Sequence, residues 1–213
     1  MKTKTYNQIS DITSNLVGAN LSTQQNYPSE KNGVIYVSDK VNLSLALKDI
    51  PYDEIYKLLD EEKNYNIKMI DGALLQFMYT FDGDNLKKYR LAFFPSPNLE
   101  EFQNNPEIYE DDEIYADVLM KNIVPTPIRF DYDPDNHINL THPMSHLTIG
   151  QYKNCRIPIC APITPNAFID FILRNFYNTA HRQFCDTLNF DMTVKFDSSI
   201  TEDEKKVLHL FAL

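Results

Sequence analysis

Residues 129–158 read RFDYDPDNHINLTHPMSHLTIGQYKNCRIP, and this stretch decides the fold. Ile128-Arg-Phe-Asp-Tyr alternates with the two-residue period of a strand. Ile128, Phe130 and Tyr132 therefore share one face, and Arg129, Asp131 and Asp133 the other. His146-Leu-Thr-Ile-Gly-Gln-Tyr reads as a second strand. Arg156-Ile-Pro-Ile-Cys reads as a third, after a Tyr152-Lys-Asn-Cys turn.

Downstream, Thr164-Pro165 forms an N-cap and first-turn pair that opens a helix through about Ala180. Phe168, Phe171, Ile172, Asn175 and Phe176 recur at helical spacing, and Ile169 and Leu173 widen the stripe, so this helix lies on a sheet. Residues 192–196 are expected to form a last strand. Thr201-Glu-Asp-Glu204 is a capping box that should start a terminal helix carrying Val207, Leu208, Leu210 and Phe211.

Upstream, Tyr6, Ile9, Ile12 and Leu16 predict a helix over 4–18 that stops at Gly18. Strands are expected over 33–38 and 41–47, and Pro51 opens a short helix with Ile55, Leu58 and Leu59 on one face. Residues 66–81 read as one long strand kinked at Gly72, turning through Asp82-Gly-Asp-Asn85 into a partner over 89–95. The order of elements gives an α+β fold, a mostly antiparallel sheet with helices packed on it. The 213 residues are expected to form a single domain with an acidic surface insertion at about 98–117.

Composition narrows the function. Five glycines, with neither GxxxxGK[ST] nor GxGxxG, argue against a P-loop or dinucleotide fold. Cys155, Cys160 and Cys185 lack metal-knuckle or redox spacing and read as reduced thiols. With no apolar leader and no long apolar run, a soluble cytoplasmic protein is expected, with no membrane partner. The net charge of −10 is uneven: eight acids and no base fall within 98–117, and without them the remainder carries −2. A nucleic-acid partner is thus open to the rest of the chain. The acidic segment is a solvated loop, an interaction tail for a partner protein, or a nucleic-acid mimic.

Chemistry concentrates in the opening stretch. His137, His142 and His146 fall within ten residues of one another, flanked by Arg129, Asp131, Tyr132, Asp133 and Arg156. The His142–His146 interval suits a zinc-binding helix, but Pro143 and the strand that follows oppose that helix. No cofactor is expected, although a mixed His/Asp site for a divalent metal stays open. Metal-free phosphodiester chemistry needs a base, an acid and fixed positive charge. His142 and His146 would move protons, Arg129 and Arg156 would bind phosphate, Asp131 would orient a histidine, and Tyr132 or Ser145 would orient the attacking hydroxyl. A structural reading competes: Arg129 pairs with Asp131 or Asp133, His142 caps a carbonyl, His146 sits satisfied in the core, and His137 is simply exposed.

RFDYDP, HPMSHLTIG, CRIPI and the helix NAFIDFILRNFY together resemble domain of unknown function 2290, an uncharacterised bacterial family. The resemblance implies a cytoplasmic bacterial protein and marks Arg129, Asp131, His142, Ser145, His146 and Arg156 as motif positions. An R-x-D strand beside a His-Pro stretch is also similar in style to small toxin-like ribonucleases. Two functions are therefore expected: a ribonuclease-like effector of a bacterial defence or toxin–antitoxin system, or a non-catalytic module that docks a partner protein through the same face and the acidic segment.

Overall fold

The computed structural model describes residues 1–37, 50–98, 125–188 and 190–212. The strand expected over 41–47 and nearly all of the 98–117 segment lie outside these residues.

Among the described residues, nine strands form one antiparallel sheet. They are β1 (Ser22–Gln25), β2 (Ser29–Lys31), β3 (Val34–Tyr36), β4 (Ile67–Met69), β5 (Leu74–Asp82), β6 (Asn85–Phe94), β7 (Ile128–Tyr132), β8 (Ser145–Ile149) and β9 (Ile157–Pro158). The order across the sheet is β1-β4-β5-β6-β7-β8-β9, and β3 takes the other half of the β5 edge, with β2 beyond it. The helices are α1 (Lys2–Gly18), α2 (Tyr52–Glu61), α3 (Pro165–Phe176) and α4 (Asn178–Leu188). None is long and apolar enough to cross a membrane. The α+β reading holds, with helices packed on an antiparallel sheet.

Alternation along β5–β8 sorts the side chains onto two faces. Phe77, Tyr79, Tyr89, Leu91, Phe93, Phe130 and Leu147 join Ile9, Ile12, Leu16, Phe168 and Ile172 in the main core beneath α1 and α3. The other face is covered at one end by α2, whose Ile55, Tyr56 and Leu59 pack with Tyr65, Leu74, Ala92 and Phe94. Along that face from this small core run Gln76, Arg90, Arg129, Asp131, His146 and Thr148.

Local chemistry explains several elements. Thr164 caps α3, its hydroxyl accepting from the Ala167 N–H at 3.3 Å, and Pro165 opens the first turn. The β2–β3 turn places Gly33 at φ +83°, with its backbone against the Phe81 carbonyl, where an added Cβ would stand 2.3 Å from that oxygen.

Four expectations are corrected. The 66–81 strand is two strands joined by a tight reversal: Gly72 adopts φ +80°, and Met69 N–H closes on the Ala73 carbonyl at 2.7 Å. The helix from Pro165 breaks at Tyr177, which leaves helical geometry (φ −134°, ψ 51°). Its ring is buried edge-on against Phe93, and its hydroxyl donates to Asp71 at 2.7 Å; α4 then continues to Leu188. Residues 192–196 form no strand.

The terminal helix is the fourth. The Thr201–Glu204 capping box closes in both directions, Glu204 N–H to the Thr201 hydroxyl and Thr201 N–H to the Glu204 carboxylate. It starts only a single 3-10 turn, Glu204–Lys206. Beyond it the chain is extended: Leu210 N–H donates to Pro158 and its carbonyl accepts from Cys160. An open sheet edge competes for these backbone groups and overrides helical periodicity.

Candidate functional site

The strand register builds the site. Arg90 on β6 lies opposite Asp131 on β7, and Asp131 lies opposite His146 on β8, so one row carries a guanidinium, a carboxylate and an imidazole. Arg129 stands one step along the same face, opposite Ala92 and Thr148.

Asp131 is the centre of this row and is 7% exposed. Arg90 Nε donates to its Oδ1 at 2.8 Å, Arg129 Nε stands 3.8 Å from Oδ2, and His146 Nε2 stands 4.0 Å from the same oxygen. Burial pushes the carboxyl group toward its neutral form. The charges of Arg90 and Arg129, the Arg90 hydrogen bond and His146 outweigh this and hold it below the usual carboxylate range.

His146 is 3% exposed. Its Nδ1 lies 2.8 Å from the Pro143 carbonyl, which can only accept, so Nδ1 carries the hydrogen and Nε2 of the neutral ring keeps the lone pair. Burial lowers its pKa below 6.5, assisted by His142 and Arg156 and opposed by Asp131 and the Pro143 carbonyl. His146 is therefore neutral at pH 7.

His142 is the accessible imidazole of the pair. Its backbone bridges Ile138 in both directions, and its Nδ1 donates to the Asn136 carbonyl, which again leaves Nε2 with the lone pair. The His142 and His146 rings touch, with centroids 4.9 Å apart and planes inclined by 54°.

Cations and carboxylates surround this pair. Lys88 binds Asp133 at 2.7 Å, and Asn136 adds a second bond at 2.9 Å. Burial opposes ionisation of Asp133, but these two bonds and the Lys88 charge keep its pKa low. Arg156, half-buried just before β9, lies close enough to act on both Arg129 and His146. Burial is the main cause of a lowered pKa at Arg129, partly offset by Asp131. Lys88, Arg90, Arg129 and Arg156 gather on this face together with Asp131 and Asp133.

The structure brings together Arg129, Asp131, His142, His146 and Arg156. It does not bring Ser145 and Tyr132 to them. Those two pair across β7 and β8 on the helix side of the sheet, where Tyr132 stacks on Tyr89 with centroids 6.1 Å apart. His137 lies apart as well, its Nε2 3.3 Å from the buried Glu204 carboxylate. No three His, Cys, Asp or Glu side chains among the described residues gather as metal ligands. Cys155 and Cys160 are free, half-buried thiols, and Cys160 Sγ accepts the Ala212 N–H.

The sequence reading missed Arg90 and Lys88. Both were available in Lys88-Tyr-Arg90-Leu, where charged residues alternate with apolar ones as they do on β7.

A family model described as an uncharacterized conserved protein (DUF2290) matches residues 21–212. The chain belongs to that family. The match spans every strand described above, and it includes both histidines, Asp131 and all the cations of the site. No curated protein and no solved structure matches the chain. For a chain of the DUF2290 family, function is carried by the chemistry of the site and not by the fold.

Proposed function

We propose that this face binds the phosphodiester backbone of a nucleic acid and cleaves it in ribonuclease fashion, with His142 moving the proton. The observation that carries the reading is the gathering of guanidinium groups beside an accessible imidazole whose Nε2 holds a lone pair in the neutral ring. Arg129 and Arg156 would grip phosphate oxygens and stabilise the charge that develops on them.

The contact between the two rings changes the division of labour expected from sequence. Imidazoles 4.9 Å apart leave no room for a phosphate between them, so they do not act as base and acid from opposite sides. In this reading His142 Nε2 takes the proton of the attacking 2′-hydroxyl as the 2′-oxygen bonds to phosphorus. The bond to the 5′-oxygen breaks, and that oxygen takes a proton from solvent. His146, neutral and fixed by Pro143, sits behind His142 as a positioning residue, with Asp131 and Arg90 as its frame. A defence or toxin–antitoxin effector would use such an activity.

A second reading, a module that docks a partner protein, draws on another observation. Ile138, Leu140, Val207, Leu208 and Phe211 are exposed apolar side chains, and Asn139 ties their two segments together through Thr201 and Asp203.

Cleavage of a fluorescent single-stranded RNA in the presence of EDTA separates the two. The wild type should cleave, and His142→Ala should lose about 100-fold or more, the usual worth of a positioned acid or base. Arg156→Ala should lose activity as well. Full activity in both variants would overturn the reading. No cleavage by the wild type, together with a stable protein partner in native mass spectrometry, would favour the docking module.

A further inference from the structure

The sheet face that carries the two histidines continues past Arg129 to a cleft. On β7 and the residues before it, Asp131, Arg129 and Pro127 follow one another on the same side; on β8 and beyond, His146, Thr148 and Gly150 do so. Gly150 N–H donates to the Pro127 carbonyl at 2.7 Å, so the ladder runs one step beyond the named strands. Each two-residue step advances about 7 Å, the scale of one nucleotide in an extended strand. The row of Asp131 and His146 is buried, while the half-buried Arg129 of the next row stands one such step from the row of Pro127 and Gly150.

The third row opens into a cleft of about 320 Å³. Its walls include Tyr52, Pro127, Gly150, Gln151 and Tyr152. Tyr152 is 75% exposed and its ring lies over Gly150, where an added Cβ would stand 3.4 Å from the ring carbon Cδ2. The Tyr52 hydroxyl is already engaged, donating to the Pro95 carbonyl, so its ring contributes only an apolar wall. Gln151 Nε2 donates to the Ile50 carbonyl, which fixes the amide and leaves its oxygen to accept from an amino group. Lys153 follows the aromatic residue in the same turn, and Arg156 lies just beyond that turn.

An exposed aromatic ring beside an apolar slot with one oriented amide, one strand step from Arg129, has the chemistry of base stacking next to a bound phosphate. A single exposed tyrosine would be ordinary on any surface. Here it closes a cleft that lies in register with the cations of the site.

We propose that this cleft is a base pocket and that the substrate is a single-stranded nucleic acid, one base of which stacks on Tyr152 while Arg129 and Arg156 hold the neighbouring phosphate. This rests on the phosphodiester reading above and specifies its substrate. A duplex buries its base faces in its own stack and cannot offer one to the pocket.

The test is fluorescence anisotropy with a short 2′-O-methyl RNA, which resists cleavage, used as a single strand, as a duplex and with one abasic position; DNA of the same sequence is the parallel probe. The single strand should bind more tightly than the duplex. Tyr152→Ala should weaken single-strand binding by about 10-fold or more, and Tyr152→Phe should retain it. On the abasic probe the gap between the wild type and Tyr152→Ala should shrink. Arg156→Ala should weaken every probe and flatten the salt dependence. If Tyr152→Ala binds like the wild type, or the duplex binds as well as the single strand, the base pocket is overturned while the phosphate site stands. If no nucleic acid binds at all, the phosphodiester reading falls and this one with it.

Discussion

Strands β5–β8 carry two faces, and alternate residues of the same strands hold those faces together by opposite means. Beneath α1 and α3 the contacts are aromatic. Phe77 and Phe130 meet Phe168 edge-on at 5.4 and 5.8 Å, and Tyr79 lies 5.3 Å from Tyr89 with its hydroxyl bonded to the Ile163 carbonyl. On the other side, Asp131 is held by Arg90 and Arg129 beside a neutral His146. The first face gains stability from nearly every contact. The second must offset the desolvation of each charge, and buried ion pairs are often no better for stability than apolar residues of the same size. A fold needing only a core would not require that second face, and the difference is the physical reason to look for function there.

The largest effects should expose this difference through pH. Arg90→Met removes the nearest partner of a buried carboxylate, with an expected loss of about 3–5 kcal/mol. Phe168→Ala should lose about as much by opening a cavity, again about 3–5 kcal/mol. Urea denaturation separates the causes: the Arg90→Met deficit should shrink on acidification, as Asp131 takes up a proton and no longer needs a counter-charge. The Phe168→Ala deficit should stay constant. Equal pH profiles would break the comparison.

A smaller loss, about 1 kcal/mol, is expected from Thr164→Ala, which leaves the first turn of α3 without its cap; a lower Tm would show it. His146 gives a gentler signature. Its folded pKa is depressed below 6.5, so the unfolded chain binds the proton more readily. The contribution of neutral His146 is complete above pH 6.5 and is lost as pH falls from there toward the folded pKa. In His146→Gln that part of the slope should disappear. Lys57→Ala, which breaks an exposed pair with Glu61 at 3.8 Å, should leave stability unchanged within error.

Much of the sheet was legible because alternation is a local signal. It placed Ile128, Phe130 and Tyr132 on the face opposite Arg129 and Asp131, and this already set Tyr132 away from the site where it was expected to orient the attacking hydroxyl. Thr164-Pro165 fixed the start of α3 for an equally local reason. Register was not legible: that Arg90 meets Asp131, and Asp131 meets His146, depends on pairing between strands separated along the chain. The extended C-terminal segment was hidden for the same reason, since its apolar spacing suits a helix while its backbone bonds go to Pro158 and Cys160. The histidine cluster was visible in composition, but the contact between His142 and His146 was not.

The most direct test of the account uses ring-nitrogen NMR of the histidines, followed while a non-cleavable 2′-O-methyl dinucleotide is added. The account predicts that His142 starts with a protonated Nδ1 and a bare Nε2, and that its Nε2 signal moves on addition together with the side-chain signals of Arg129 and Arg156. Tyr89 and Tyr132, on the opposite face, should stay still. If the signals of His142 and both arginines do not change, or the shifts gather on the aromatic face instead, the charged face is not a phosphodiester site.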